Sequence, residues 1–368
     1  MAVASSGSGN RNAMVIVQPY LFWRGHFRRY FENLLSDRYS YLYCDEQDRR
    51  YTNATWLKSL PIDYDRDILR FLLARLLHSL KTISHLTNRD GAGKPQSIHF
   101  IEFEPFSFML FELLTPFRKK KILITLHSIG RMVYRSPAKD LASRLQRWVY
   151  VRAIRHAGRR GYRFVVHSRA HGHQLCRTAG AVRVDVIEYP CSYPALENPR
   201  PLKGMKLLIF GHMREDKGIH EFLEDQKSNA YSITMAGRIH DPRLRALQKK
   251  GLQVIDRFLA EEELKALIDD HDYVLLPYAK HYPGGAGPLK DALSFGKPVI
   301  CSDIDIFREV VETHGVGFVY RDISEIASFL EKTTPAQYTE MAENCLAYAR
   351  EHDWHSMRKQ YFCIYNDL

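Results

Sequence analysis

An α/β fold built on parallel β-sheets is predicted by three features of the sequence. Short apolar segments typical of buried strands alternate with longer amphipathic segments typical of helices along most of the chain. The length of 368 residues allows two domains with separate hydrophobic cores. A proline-rich polar stretch at residues 196–204 has the composition of an interdomain linker. We therefore expect an N-terminal domain at residues 13–195 and a C-terminal domain at residues 205–350.

The N-terminal half begins with residues 1–12, which lack the apolar segment of a signal peptide and are typical of a disordered leader. Strands are expected at residues 13–17, 39–43, 97–103, 121–126, 164–168 and 182–187, and helices at residues 27–35 and 65–86. Both helices have apolar residues recurring on one side, such as Tyr30 and Leu34 in the first. Residues 104–107 are expected to form a loop, and Ser168 to cap the helix that follows it.

The C-terminal half continues the alternation. Strands are expected at residues 205–210, 232–236, 251–255, 273–276, 298–300 and 317–319, and helices at residues 261–270, 289–295, 304–312 and 325–332. Residues 335–368 are mostly helical by pattern, with the final helix at residues 351–368. This order of elements predicts a second parallel sheet.

The charge is unevenly distributed. The net charge is +11, but residues 1–200 hold 32 Lys and Arg against 16 Asp and Glu, whereas the remainder holds 21 against 26. Within residues 144–163, apolar residues that include Trp148 alternate at helical spacing with Arg144, Arg147, Arg152, Arg155, Arg159 and Arg160. Such a basic amphipathic helix favours an anionic membrane surface, and a core-packing helix with a solvated basic face is the alternative. No recognised nucleic-acid-binding module accompanies the charge, so we expect no nucleic-acid partner.

The cysteines and apolar runs restrict the class of protein further. The six cysteines are scattered without a CxxC pair, which indicates reduced thiols in a cytoplasmic protein, with no disulfide framework or zinc site. No apolar run approaches the roughly 20 residues that cross a bilayer.

The glycine-rich stretch at residues 278–303 is the strongest candidate for a binding site. A strand at residues 273–276 leads to Gly284, Gly285 and Gly287, and Pro288 stands where a helix would begin. A glycine turn before a helix presents unpaired backbone N–H groups, which bind anions such as phosphate. We place Asp291 in the first turn, within reach of a sugar hydroxyl, and expect Gly296 to end the helix. An ordinary strand–loop–helix is the alternative.

This stretch resembles the donor-binding segment of GT-B fold glycosyltransferases of group 1, the family 4-like bacterial enzymes. In members of this family, the segment has the sequence PS, then a few other residues, and then EGFGLxxLEAMAxGxPVV. Pro277 and Tyr278 stand for PS, residues 287–289 for the glycine turn, and residues 296–299 for GxPV. Asp291 takes the place of the second family glutamate, and Pro283 stands where the first one is found.

Other segments resemble the same family at the ends of predicted strands. Residues 211–218 resemble GRLxxxKG, with His212 at the arginine position and Arg214 two residues on, and Gly237 with Arg238 resembles a second glycine turn. In the first half, His127 and Ser128 resemble the TxHD signature. Gly25 and His26 occupy the place of the family's first glycine loop, and Glu102 with Glu104 resembles an EEPxS-like loop. Solvated carboxylates are the alternative for these two glutamates.

The resemblance implies two Rossmann-like domains facing a cleft, with the final helix crossing back to the N-terminal domain. It implies transfer of a hexose from a nucleotide-diphosphate sugar to a glycan, plausibly polyprenyl-diphosphate-linked, in bacterial exopolysaccharide or lipopolysaccharide synthesis at the cytoplasmic membrane face. Catalytic roles fall to His127, Lys217, Glu102 and Glu104. The donor residues are Gly25, His26, Gly211, His212, Arg214, Lys217, Gly237, Arg238, Gly285, Ala286, Gly287, Pro288, Leu289 and Asp291.

The resemblance further implies retention of anomeric configuration, with no metal ion and no cofactor. Pro283 leaves three alternatives open. They are an inverting reaction with Glu102, Glu104 or a histidine as base, another GT-B activity such as a nucleotide-sugar epimerase or phosphorylase, and a catalytically silent scaffold in polysaccharide assembly.

Overall fold

A computed structural model of the chain has two compact units, each built on one parallel sheet. The first unit comprises Met1–His167, Gly172–Ile187 and Arg358–Leu368, and the second comprises Ser168–His171 and Glu188–Met357. The structure describes residues 14–18, 26–36, 39–43, 54–56, 68–87, 97–115, 121–127, 129, 141–180, 183–226, 230–245, 251–280, 282 and 287–368.

The sheet of the first unit has seven strands in the order β3-β2-β1-β4-β5-β6-β7. The strands are β1 (Met14–Gln18), β2 (Ser40–Tyr43), β3 (Ala54–Trp56), β4 (Ser97–Phe100), β5 (Lys121–Thr125), β6 (Arg163–Val166) and β7 (Arg183–Val186). The helices of this half are α1 (His26–Leu34), α2 (Ile68–Thr87), α3 (Pro105–Leu114), α4 (Leu141–Arg159) and α5 (Arg169–Ala179). One face of the sheet forms a single apolar core with α2, α3 and α4, because side chains from all three helices pack on alternate residues of the strands.

A chain of buried hydrogen bonds ties the last helix of the protein to the first sheet. The hydroxyl of Tyr361 lies 2.7 Å from the hydroxyl of Tyr30 and 2.8 Å from Oγ1 of Thr125 on β5. Thr125 in turn contacts Nε2 of His99, whose Nδ1 lies 2.6 Å from the hydroxyl of Tyr365. Burial lowers the pKa of His99 to about 3, so this histidine is neutral at physiological pH. The last helix is therefore held to the first unit by buried polar contacts.

The sheet of the second unit has six strands in the order β10-β9-β8-β11-β12-β13. They are β8 (Lys206–Phe210), β9 (Ser232–Ala236), β10 (Leu252–Ile255), β11 (Tyr273–Leu276), β12 (Val299–Ser302) and β13 (Gly317–Tyr320). The helices are α6 (Ile219–Asp225), α7 (Pro242–Arg245), α8 (Glu261–Asp270), α9 (Gly287–Ser294), α10 (Asp305–His314), α11 (Ser324–Lys332) and α12 (Pro335–Glu351), and a short 3₁₀ helix covers Glu215–Lys217. The last helix, α13 (Trp354–Asn366), begins in the second unit and belongs to the first unit from Arg358 onward. Alternate strand residues enter separate cores on the two faces of this sheet.

The strand order creates a switch point in the second sheet. The chain leaves β8 toward β9 on one side and leaves β11 toward β12 on the other. Connections that diverge in this way leave a crevice at the carboxyl ends of the two central strands, where ligands of open α/β sheets bind. Residues 211–218 follow β8, and residues 277–280 follow β11, with α9 beginning at Gly287. The described parts of the two segments singled out from the sequence therefore both lie at this crevice.

Most predicted elements are confirmed, some to the residue. The strands at 232–236 and 273–276 and the helix at 261–270 agree in both bounds. Gly296 has φ +61°, the left-handed conformation expected of a residue that ends a helix. The hydroxyl of Ser168 accepts a hydrogen bond from the backbone N–H of His171, as a helix cap does.

Several local predictions were wrong. The stretch predicted as a loop at residues 104–107 contains the first turn of α3, because Pro105 suits a first helical position and Glu104 caps it. The basic helix ends at Arg159, and Arg163 already belongs to β6, because Gly161 turns the chain with φ +74°. Asp291 lies in the second turn of α9, since this helix begins at Gly287. The predicted single helix at 351–368 is α13, which begins at Trp354.

Four short elements were not predicted at all. They are β3 with three residues, the 3₁₀ helix with three, α7 with four and α6 with seven, and each is too short for a clear periodic pattern in the sequence. The predicted disordered leader at residues 1–12 lies outside the described residues.

Replacement of Tyr361 by Phe should lower the free energy of unfolding by about 1–2 kcal/mol, because two buried hydroxyl groups each lose a hydrogen-bond partner. Urea denaturation followed by circular dichroism measures the change. Lys359→Gln, at an exposed position of the same helix, is the matched control and should leave stability unchanged. Equal stability of Tyr361→Phe and the parent protein would contradict a stabilising role for the network.

Candidate functional site

The turn after β8 depends on two glycines that touch through their backbones. Gly211 has φ +97° and Gly237, after β9, has φ +136°, both in the region that favours glycine. A β carbon on Gly237 would lie 2.1 Å from the carbonyl oxygen of Gly211, closer than any real contact. The ends of β8 and β9 can therefore meet only without side chains, which leaves an open backbone surface at the crevice.

Lys217 is brought from this turn to the beginning of α9. Gly218, with φ +62°, packs so closely on the end of β11 that a β carbon would lie 2.8 Å from the carbonyl oxygen of Pro277. A β carbon on Gly211 would lie 3.5 Å from Nζ of Lys217 and 3.7 Å from Cγ of Pro288. Nζ also lies 5.1 Å from the ring centre of Tyr278. The two predicted donor segments thus converge on one place.

Lys217 differs from the other buried lysines of the second unit. Lys290 pairs with Glu188 at 3.2 Å, and Lys297 donates to the backbone oxygen of Asp269 at 2.9 Å. Lys217 is 5% exposed, and no acidic side chain of the described residues lies within ion-pair distance of its Nζ. Asp216, the acid of the described residues that acts on the Lys217 ammonium group, is itself paired with Arg214. A buried ammonium group without such a partner is costly, which indicates a place for an anion.

The electrostatic surroundings of Lys217 are positive. Burial, followed by the charge of Arg214, lowers the pKa of Lys217 to about 8, although the carboxylate of Asp216 acts in the opposite direction. Arg214 itself forms a two-point pair with Asp216, at 3.0 and 2.9 Å, so the carboxylate offsets part of the charge that the sequence suggested. Burial lowers the pKa of His212, and the nearby charges of His240, Lys217, Arg214 and Arg238 lower it further. Burial and these four neighbours therefore disfavour the charged form of His212, and the surroundings of Lys217 are positive.

The N-terminus of α9 faces the same point. Gly287 and Pro288 open the helix, and the side chain of Leu289 is buried and anchors its first turn. The N–H groups of a first turn have no partner within the helix and carry the positive end of its dipole. Gly285, Ala286 and Pro283 lie outside the described residues. Arg238 is exposed beside His212.

In the first unit, His127 is held by a second histidine that the sequence analysis missed. Nδ1 of His127 lies 2.9 Å from Nε2 of His167, and Nδ1 of His167 lies 2.8 Å from the carbonyl oxygen of Ile187. Because a carbonyl only accepts, neutral His167 carries its proton on Nδ1 and accepts at Nε2. His127 must then be protonated at Nδ1, which makes its Nε2 an acceptor.

The two candidate carboxylates after β4 occupy different environments. The carboxylate of Glu104 accepts hydrogen bonds from the backbone N–H groups of Phe106 and Ser107, so it serves as the N-cap of α3. Glu102 is partly buried and lines a small cavity with Ser79 and Ser107. Gly25 and Ser128 lie outside the described residues, and His26 is the first residue of α1.

The sequence analysis also missed His240 and the position of Tyr278 beneath Lys217. Nε2 of His240 lies 3.1 Å from Nδ1 of His212. The contact follows from β8 and β9 being neighbours, which the alternation of elements did not reveal. Within the described ranges, no cluster of three or more His, Cys, Asp or Glu side chains is placed to hold a metal ion.

Lys217→Met should raise the free energy of unfolding of the unliganded protein. A fall in pKa from 10.5 to about 8 costs the charged form about 3 kcal/mol, so we expect a gain of roughly 1–3 kcal/mol at pH 7. Between pH 8 and 10.5 the gain should shrink, because there the folded parent has lost the Lys217 proton that the unfolded chain still holds.

Denaturant titrations at pH 7 and pH 10.5 measure both effects. Lys290→Met is the matched control of opposite sign, because it leaves the carboxylate of Glu188 without its cation and should destabilise the protein. A loss of stability in Lys217→Met at pH 7 would show that the ammonium group is already satisfied.

The chain is similar to known proteins in its fold and in one segment of its sequence. Residues 204–333 match the family model described as "Glycosyl transferases group 1". No curated protein matches the sequence. Solved structures of similar fold include sucrose-phosphate synthase from Thermosynechococcus elongatus, with TM-score 0.69 and 15% identity over 96% of this chain and 98% of that one. Anabaena HepE, solved with UDP and glucose, has TM-score 0.66 and 15% identity over 97% and 100% of the two chains.

A third similar structure is the E. coli trehalose-6-phosphate protein bound with UDP-2-fluoroglucose, with TM-score 0.61 and 10% identity over 96% of this chain and 99% of that one. Identities this low show the fold alone. The matched segment covers β8 to α11, which includes Lys217, the glycine pair and the beginning of α9. Residues 204–333 therefore match the group 1 glycosyltransferases, and the chain as a whole has the GT-B fold of these solved structures.

Proposed function

We propose that the protein transfers a hexose from a nucleotide-diphosphate sugar to a glycan acceptor. The observation that carries the proposal is the buried ammonium group of Lys217, which has no acidic partner among the described residues and lies beside the first turn of α9. Phosphate is the anion that helix N-termini and glycine turns bind most readily. A diphosphate at this point would restore the partner that Lys217 lacks.

The leaving group explains how this site assists catalysis. When the bond between the sugar and the diphosphate breaks, negative charge grows on the diphosphate oxygen. Lys217 and the N–H groups of α9 are fixed in place before the reaction, so they stabilise that charge without reorganisation. Gly211 and Gly237 leave the backbone open to the diphosphate, and Asp291 is proposed to accept a hydrogen bond from the ribose.

The sugar is proposed to contact His127, as the family resemblance implies. With Nδ1 protonated by its contact to His167, Nε2 of His127 would accept a hydrogen bond from a sugar hydroxyl. Retention of configuration without a metal ion is the proposed course. Glu102 remains a candidate base for an inverting reaction. Glu104 is the weaker candidate, because its carboxylate already accepts two backbone hydrogen bonds.

The acceptor is proposed to be a glycan carried on polyprenyl diphosphate, in bacterial polysaccharide synthesis at the cytoplasmic membrane face. The excess of Lys and Arg in residues 1–200 supports an anionic acceptor and an anionic membrane surface. No helix among the described residues is both long and apolar enough to cross a bilayer.

Calorimetric titration with UDP tests the diphosphate site, and UDP is chosen because HepE and the E. coli protein were solved with UDP or a UDP-sugar. Lys217→Met should weaken UDP binding by about 100-fold, the size of a lost charge-assisted contact. Lys297→Met is the matched control, because Lys297 is equally buried and its pKa is also lowered to about 8, yet its ammonium group contacts Asp269.

An equal loss of UDP affinity in Lys217→Met and Lys297→Met would show that Lys217 does not contact the diphosphate. Incubation with a panel of nucleotide sugars, with nucleotide release as the readout, then tests transfer. If no nucleotide sugar is bound, the enzyme proposal fails, and if UDP is bound but no acceptor is modified, the silent-scaffold alternative gains support.

His167→Ala should reduce kcat/KM for sugar transfer about tenfold, because His127 loses the contact that fixes its tautomer, while the affinity for UDP stays unchanged. His127→Ala should cost at least as much, and the double variant little more, since the pair acts as a unit. His173→Ala, at an exposed position of α5, is the control. Independent, additive effects of the two substitutions would contradict the proposed role of His167.

A further inference from the structure

Exposed apolar side chains are concentrated on one side of the first unit. Of the twelve large hydrophobic residues that are exposed in the described part of the chain, nine lie on α2, α3 and α4. They are Leu76, Leu77 and Leu80 on α2, and Phe106, Met109, Leu113 and Leu114 on α3. Leu145 and Trp148 complete the set on α4. We call these nine side chains the apolar face.

The three helices form one continuous layer. All three pack on the same face of the first sheet. α2 meets α3 through the hydroxyl groups of Ser79 and Ser107, and α3 meets α4 where Glu112 lies 3.1 Å from Nε2 of His156. On α3, Phe106, Met109 and Leu113 are spaced by three and four residues, so they lie on one side of the helix. The apolar face is therefore a patch shared by neighbouring helices and not a set of isolated residues.

The charge on these helices has a single sign at the surface. α2, α3 and α4 together contain eight Lys and Arg residues and one acidic residue, Glu112. Glu112 is buried, where it pairs with His156 and Arg160 and accepts a hydrogen bond from Tyr162. On α4 the guanidinium group of Arg152 lies over the ring of Trp148, 5.3 Å from its centre. The exposed charge bordering the apolar face is therefore positive.

We propose that the apolar face docks on the surface of an anionic lipid bilayer. Leucine, phenylalanine and tryptophan side chains enter the boundary between headgroups and acyl chains, while arginines around them meet lipid phosphates. The same charge argues against a second copy of this chain as the occupant, because two such faces would repel each other. The composition of the face argues against RNA, because seven of its nine side chains are aliphatic and offer a base no ring to stack on and no group to hydrogen-bond to.

The apolar face takes no part in the proposed donor site. Membrane docking can therefore be tested without measuring sugar transfer. The full-length protein is sedimented with vesicles of phosphatidylcholine alone or mixed with phosphatidylglycerol. We expect binding to the anionic vesicles that weakens as salt is raised and only weak binding to the neutral ones. The double variant Leu113→Ser, Trp148→Ser should bind the anionic vesicles at least about tenfold more weakly.

Phe258→Ser is the matched control, because Phe258 is 74% exposed, as Leu113 is at 73%, but lies in the second unit. Arg152→Gln with Arg155→Gln should reduce the dependence of binding on salt. Unchanged UDP affinity and circular dichroism in each variant confirm that it is folded. Equal vesicle binding by the double variant and the Phe258 control, binding to RNA in preference to vesicles, or self-association lost in the double variant would each overturn the proposal.

Discussion

The charge of Lys217 is the constraint on which the arrangement of the second unit depends. An ammonium group removed from water needs a counter-charge, and the two other buried lysines of this unit have a carboxylate or a backbone carbonyl. Lys217 instead lies above the ring of Tyr278 and close to the beginning of α9. The left-handed turn at Gly218 and the contact between Gly211 and Gly237 bring it there. The cost of this buried charge at the switch point of the sheet supports the proposed anion site.

Ion pairing between neighbouring side chains, and not the net charge of residues 201–368, makes the electrostatic environment of the proposed donor site positive. Residues 201–368 contain more Asp and Glu than Lys and Arg, yet the environment of Lys217 is positive. Two acids near the crevice are neutralised by neighbours. Asp216 is paired with Arg214, and the buried carboxylate of Asp241 is held by Arg243. Lys217 and Arg238 therefore supply positive charge to the proposed diphosphate site. The first unit is organised differently, with its positive charge spread over a helical surface.

The sequence predicted the fold and the donor segments because both depend on local patterns. Buried strands, the glycine turns around 211–218 and 287–289, and Gly296 each have a signature within a few residues. His167 could not be found in this way, because its contact with His127 depends on which strands are neighbours. Thr125 of β5 is paired with Val165 of β6, so the residues two positions further on face each other. Given the strand order, this pairing could have been predicted.

Side-chain partners were the least predictable part of the site. Arg214 was expected to supply free charge, but its pairing with Asp216 two residues later offsets part of that charge. Glu104 was expected to be a loop carboxylate, but Pro105 begins a helix, and Glu104 is the N-cap of that helix. In both cases one residue had two plausible partners, and only the folded chain decides between them. The network from Tyr361 to His99 joins residues more than 200 positions apart, which no local pattern reports.

A crystal structure of the protein with bound UDP tests the central claim most directly. The account predicts a phosphate oxygen within about 3 Å of Nζ of Lys217, with the N–H groups of the first turn of α9 directed at the same diphosphate. A diphosphate bound elsewhere, or a Lys217 ammonium group that remains without contact to it, would contradict the account.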